Sequence, residues 1–321
     1  MIDAQRLVPV DTVDLTDLGF APAARPHHIA VEPDGSFWYV SLIGENRVLK
    51  FDRANRLVGQ APFAQAGMLA LDPTRDVLVV TRSMTAVNPR PRVGLIRRSD
   101  MSIEEVEVLF PRPHAVAVGP AGAYAYVGSL AENRIASVAL DAQTVGLTAV
   151  DGPPHAFVQF AVSPVAPILV ATTELSGRLL AFDITDPAAP RLRASVEVGA
   201  TPWDPVFTPD GRYVFFGNYR ANTVTVVETA GWTVAKVIRG AGLAEPYGSA
   251  VSPDGRYVFI ANRHVTASAG GAHATHSAHA AGDPGRTATV VVIDTRSLEI
   301  ARVFDVPGDA TGLGIPAPPR R

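Results

Sequence analysis

Short apolar runs dense in β-branched and aromatic side chains recur along this chain: VLVV, YAYV, ILVA, YVFF and YVFI each follow a polar, turn-forming stretch. Runs this short, bounded by Pro, Asp and Gly, predict buried strands rather than helices. They belong to copies of one unit. TPDGRYVFFGN (Thr208 to Asn218) nearly matches SPDGRYVFIAN (Ser252 to Asn262), a third copy begins at Glu32, and weaker ones begin at Asp72, Gly119 and Ser163. The repeat proline falls at Pro33, Pro73, Pro120, Pro164, Pro209 and Pro253, in steps of 40, 47, 44, 45 and 44 residues. That is the length of one four-stranded propeller blade, and the strand-rich content argues against a helical solenoid. The pattern predicts an all-β fold, a single β-propeller of four-stranded blades with six full repeats. Seven blades is the alternative count.

In blade one the predicted strands are His28 to Val31, Phe37 to Leu42, Arg47 to Phe51 and roughly Arg56 to Ala61; the other inner strands start near Met68, Ala115, Phe157, Asp204 and Gly248. In the Pro-Asp-Gly turns, Asp34, Asp210 and Asp254 cap the turn and the following Gly supplies the positive φ. Residues 1–321 form one domain: an accessory N-terminal segment (1–25), blade repeats (26–304) and a closing C-terminal segment (305–321). Val8 to Leu15 looks like an outer strand ahead of blade one, and Ala310 to Ile315 like an inner strand after blade six. Pairing of the two ends would close the ring and protect its edges. Residues 265–286 (VTASAGGAHATHSAHAAGDPGR) interrupt blade six without apolar periodicity and are predicted to be a mobile loop; a shorter excursion, Met84 to Arg92, occupies the same place in blade two.

Composition removes several functions. With a formal net charge of -3 and no charged block, the chain is a poor partner for nucleic acid or anionic membranes. The absence of cysteine excludes disulfides, thiolate nucleophiles and thiolate ligands. Apolar runs such as Val290 to Ile293 are too short to span a bilayer, so no membrane insertion is expected. Met1 to Arg25 lacks the features of a signal peptide, which implies a cytoplasmic protein, or a periplasmic or secreted one whose leader has been removed. No Ser-His-Asp spacing, phosphate loop or dinucleotide fingerprint is present.

Across PDGRYVFFGNYRANTVTVVET (Pro209 to Thr229) the chain resembles the YVTN-type repeats of bacterial β-propellers, and in pattern the propellers of nitrous oxide reductase and cytochrome cd1 nitrite reductase. The similarity runs from Pro26 to about Phe304. It implies the fold and leaves the chemistry open, because one propeller scaffold carries many functions.

Blade topology then locates the histidines. Strands alternate in direction, so the loop entering an inner strand and the loop between strands two and three emerge on one face. His27, His28, His114 and His155 stand at inner-strand entrances, and His264, His273, His276 and His279 lie in the two-to-three connection of blade six; these are all eight histidines. Counting back from the repeat proline places His27, Gly67, His114, Val158, Trp203 and Tyr247 around the channel mouth, with His155 three residues out of register. Imidazole-only sites suit copper, zinc or iron. The adjacent pair His27 and His28, with His114 and His155, also resembles the copper-binding histidines of nitrous oxide reductase, which implies copper ahead of iron or zinc. Gly67, Trp203 and Tyr247 depart from a full cluster. The expected ligands are His27, His28, His114, His155 and His264, with His273, His276 and His279 on a lid. Glu174, Arg82, Tyr219 and Arg220 share the same type of connection, and Glu174, Tyr219, Arg220 and Tyr247 are the catalytic candidates. Each of these residues also has a plain structural reading: a histidine beside proline caps backbone or packs in the channel, and an exposed polar residue simply meets solvent.

Three functions follow from this set. The first is a metal-dependent enzyme, an oxidoreductase or lyase, acting on a small molecule at the channel mouth. The second is a non-catalytic propeller that binds a protein partner or ligand on its top face. The third is a tetrapyrrole binder with a rim histidine as axial ligand.

Overall fold

The computed structural model describes residues 1–199, 201–263, 287–308 and 310–316. Six four-stranded antiparallel sheets follow one another along the chain, each a meander from the inner to the outer strand. Blade one comprises Pro26–Val31, Phe37–Leu42, Arg47–Asp52 and Leu57–Pro62; blade two Ala66–Leu71, Val77–Arg82, Arg92–Arg97 and Ile103–Glu107; blade three Pro113–Val118, Tyr124–Ser129, Arg134–Ala139 and Val145–Ala149. Blade four comprises Phe157–Val162, Ile168–Thr173, Arg178–Asp183 and Arg191–Glu197; blade five Val206–Phe207, Tyr213–Asn218, Thr223–Glu228 and Thr233–Ile238; blade six Pro246–Val251, Tyr257–Asn262, Thr287–Asp294 and Glu299–Pro307. The blade count is six, and the fold is the predicted β-propeller.

The apolar second and third strands are buried on both faces because each blade is covered by its neighbours. Val79, Val93 and Leu95 of blade two pack with Val116, Val127 and Val138 of blade three; Phe157, Phe160 and Leu180 of blade four pack with Tyr126 and Ile135 of blade three. The outer strands are largely exposed, as their polar composition requires. Asp34, Asp210 and Asp254 each accept a hydrogen bond from the backbone N–H two residues on, and Gly35, Gly211 and Gly255 have φ of 67°, 69° and 71°.

Blade five departs from the others. Its inner ladder is reduced to Val206–Phe207 plus an isolated bridge between Pro202 and Asn218. Pro202 and Pro205 have no N–H to give a ladder, so the backbone between them is irregular. Asp204 occupies that irregular stretch.

Both ends of the chain differ from the strands expected of them. Only Val8–Pro9 of the Val8 to Leu15 segment is extended in a sheet, and it pairs with Ile2–Asp3 rather than with a blade. The N-terminal segment instead straddles the seam between the last and first blades. Ile2, Ala4 and Leu7 pack on Tyr257, Phe259 and Val292 of blade six, whereas Val13, Leu15 and Phe20 pack on Val40, Leu42 and Phe51 of blade one. Ala310 to Ile315 joins no sheet. It runs between the inner strands of blades six and one: a methyl at Gly248 would stand 2.2 Å from the Thr311 carbonyl oxygen, and one at Gly312 2.4 Å from that of His27.

Candidate functional site at the channel mouth

One backbone device is repeated six times at the entrances of the inner strands. Arg25, Gln65, Arg112, Ala156, Thr201 and Glu245 all have left-handed φ, between 51° and 59°. Their carbonyls accept hydrogen bonds from the N–H groups of Ile43, Ser83, Leu130, Glu174, Tyr219 and Arg263 respectively. Each bond ties an inner-strand entrance to the connection that leaves the second strand of the same blade. The two kinds of loop therefore share one rim, as the topology predicts.

Two residues after each left-handed residue lies a position of the innermost ring: His27, Gly67, His114, Val158, Trp203 and Tyr247. Its members are in contact across the channel. His27 Nε2 lies 3.2 Å from Tyr247 Oη with the rings edge to face, the His27 and His114 ring centroids are 6.5 Å apart, and those of Trp203 and Tyr247 4.2 Å. Above this ring Tyr219 packs on Trp203, donates to Glu245 Oε2 (3.1 Å) and accepts from Arg263 Nη1 (3.3 Å). Arg263 also sits over the Tyr247 ring at 5.7 Å. Together with Met84 these aromatics roof the mouth.

The next layer carries a second repeated device. Every inner strand but that of blade five bulges at its entrance, which takes a backbone N–H out of its ladder, and in blades two, three and six a polar side chain from a neighbouring blade meets such an N–H. Leu69 N–H donates to His28 Nδ1 (3.3 Å), Val116 N–H to Gln159 Oε1 (3.0 Å) and Ser249 N–H to Asp204 Oδ2 (3.0 Å). His28 and Asp204 are both largely buried, and both line the cavity at the channel mouth.

The electrostatics follow from this enclosure. Burial, reinforced for His28 by the neighbouring His114, lowers the pKa of His28 to about 4. Burial likewise lowers His114 to about 4, partly opposed by its bond to the Arg82 carbonyl. That bond (2.8 Å) fixes the tautomer: a carbonyl only accepts, so His114 Nδ1 carries the proton and Nε2 keeps a lone pair. Burial raises Asp204 to about 7, against the stabilising Ser249 N–H. Tyr247 is raised well above the usual phenol range by burial, with Tyr219, Asp204 and Glu174 adding to the effect and Arg263 opposing it. Around neutral pH the site thus holds His28 and His114 as neutral imidazoles, Tyr247 as a neutral phenol, and a carboxyl close to its midpoint.

His27, His28, His114, Asp204 and Tyr247, with Thr311 and Gly312 of the C-terminal segment, line one cavity of about 10 Å³, room for a single water molecule. His155 does not reach it. Its Nε2–H donates to the Asp151 carbonyl (3.2 Å) and its Nδ1 lies 2.8 Å from Ser176 Oγ, so both ring nitrogens serve a local loop. The cause is its register: His155 precedes the left-handed Ala156, whereas the ring residues follow theirs. Arg82 is likewise engaged within its blade, donating to the Ala64 carbonyl and Glu105 and covering the Phe63 ring. Tyr219 and Tyr247 meet at the mouth, Glu174 lies near enough to influence Tyr247, and Arg220 is exposed on the turn Tyr219–Ala221. His264, His273, His276 and His279 lie outside the described residues. Among the described residues, no three His, Asp or Glu side chains are arranged to hold a metal ion. Asp204 was not among the expected site residues, although its neighbour Trp203 was placed in the ring.

No protein-family profile matches the chain, and no curated protein matches it. Solved structures do. A hydrazine synthase structure from Kuenenia stuttgartiensis aligns with a TM-score of 0.67 and 21% identity, over 92% of this chain and 90% of that one. A streptogramin B lyase structure aligns with a TM-score of 0.69 and 12% identity, over 92% of this chain and 88% of that one. At these identities the likeness is one of fold.

Proposed function

We propose that the protein is an enzyme that acts on a small molecule at the mouth of its central channel, with Asp204 as the proton-transferring group. The observation that carries this reading is convergence: blades one, three, five and six contribute His27, His28, His114, Asp204 and Tyr247 to one enclosed cavity. A carboxyl held near pKa 7 is matched to general acid–base work at neutral pH. Neutral imidazoles and a neutral tyrosine around it accept or donate hydrogen bonds to a substrate without adding charge. The streptogramin B lyase is a precedent for lyase chemistry on a propeller of this shape, at the level of scaffold only. Substrate entrance requires the Tyr219, Trp203 and Met84 roof to move, because the cavity as it stands admits only water.

A second reading, a bound transition metal such as copper, is favoured by one feature. His114 donates Nδ1–H to a backbone carbonyl and leaves Nε2 unprotonated, the arrangement metal-ligating histidines adopt. His27 and His28 would be its companions. The described residues do not complete a three-ligand set, so no catalytic step is assigned to a metal.

The test is a thermal-shift screen of a small-metabolite collection on wild type, Asp204→Asn and His114→Ala, paired with elemental analysis of tag-free protein. Ligands acting at the channel stabilise wild type and lose that effect in both variants. A screen in which no stabilising ligand loses its effect in either variant would refute a channel site. Stoichiometric metal that disappears in His114→Ala would select the second reading.

A further inference from the structure

We infer that the same rim carries a second site, a basin over blades one to three that binds a small organic acid through Arg25 and Arg112. The basin is open, about 630 Å³, within the size range of small-molecule pockets. Its polar lining includes Arg25, Arg112, Gln65 and Asn46, its apolar lining Ile43 and Val87, and among the described residues no Asp or Glu lines it. Two arginines thus line one hollow with no carboxylate among its described lining residues, on a chain whose net charge is negative. Guanidinium pairs with carboxylate in a bidentate, charge-assisted geometry, and the apolar wall suits a carbon skeleton rather than a bare ion.

Arg25 is poorly explained by stability. Its side chain makes no hydrogen bond or ion pair with the described residues, and it is half-buried. Burial and the neighbouring positive charge of Arg263 both disfavour its charged form. Its backbone is left-handed at φ 55°, where a long side chain is a poor choice and Asn or Gly a good one. Gln65 and Arg112 occupy the equivalent left-handed positions of the next two blades, so all three side chains are presented alike around the rim. The other three equivalents are Ala156, Thr201 and Glu245, which confines the cationic arc to this half. Like-charge crowding retained at a hollow, where shorter side chains would suit the backbone, is a sign of a ligand site.

The basin adjoins the channel mouth through Met84, which lines the basin and packs on Trp203, Tyr247 and Val158. The inference does not depend on Asp204, so either site can fail alone. The experiment is calorimetric titration of the full chain with succinate and benzoate, with succinamide as the uncharged counterpart and inorganic phosphate as the bare anion. Succinate or benzoate should bind, succinamide should not, and binding should weaken as salt rises. Arg25→Asn should weaken binding tenfold or more without lowering the melting temperature, because no hydrogen bond within the described chain is lost. Arg112→Gln should weaken it comparably, although loss of its bond to the Met84 carbonyl (2.7 Å) will also loosen the basin wall. Absence of binding by both acids, equal binding of succinamide, or unchanged affinity in Arg25→Asn would overturn the proposal. Phosphate binding more tightly than either acid through the same residues would overturn the organic-acid assignment.

Discussion

At the scale of single residues, Asp204 and His114 make opposite demands on pH. Asp204 has its folded pKa raised to about 7, so its favourable contribution is complete below the ordinary carboxylate range and is lost as pH rises towards 7. Asp204→Asn keeps an acceptor for Ser249 N–H and removes the ionisation, and should stabilise the protein at pH 8 by on the order of a few kcal/mol, with little effect at pH 4.5. Urea unfolding at both pH values reads this; an equal effect at both would mean that Asp204 is not held protonated. His28 and His114 have folded pKa values lowered to about 4, so their contribution is present above about 6.5 and is lost as pH falls through 4. His114→Ala leaves the Arg82 carbonyl unpaired and a void beside His27, and should cost roughly 2–4 kcal/mol at pH 7. A variant as stable as wild type would show that the Arg82 bond is not formed. His27 and His114 were legible from the count back to the repeat proline, because they share its register. Asp204 was not, since what marks it is enclosure by residues from other blades.

At the scale of elements, the turns were more legible than the strand entrances. Pro-Asp-Gly announces its conformation, since each residue type suits its dihedral angles. The six left-handed entrances are Arg, Gln, Arg, Ala, Thr and Glu, and no residue type in that series signals positive φ; the neighbouring hydrogen bond holds it instead. The short inner strand of blade five follows directly from Pro202 and Pro205, a signal present in the sequence. Gly248 and Gly312 make an element-level prediction. Both lie where the C-terminal segment crosses inner strands, at distances that no Cβ tolerates, and the clashing atoms are backbone. Gly248→Ala should therefore lower the melting temperature by several degrees, whereas Gly231→Ala, whose added methyl would meet nothing closer than 3.8 Å, should have a much smaller effect. Equal shifts in differential scanning calorimetry would argue against the tight crossing.

At the scale of the whole molecule, the repeat period was sufficient for architecture because each unit supplies a complete sheet and only a ring covers both faces of six such sheets. How the ring closes was harder to read, since the ends carry no repeat. The expected terminal strands are instead two clamps on one seam: the N-terminal segment outside, across blades six and one, and residues 310–316 inside, between their inner strands. The inner clamp also furnishes Thr311 and Gly312 to the channel cavity, which couples closure to the site. Truncation after Gly308 should then have two linked effects. Amide exchange should accelerate in the inner strands of blades one and six while blades three and four keep their protection, because the lost contacts are local to the seam. The lowered pKa of His28 should move back towards its ordinary value as water gains the cavity, followed by NMR titration of the imidazole. Exchange that rises uniformly around the ring, or a His28 titration unchanged by truncation, would show that the segment merely decorates a propeller closed by other contacts.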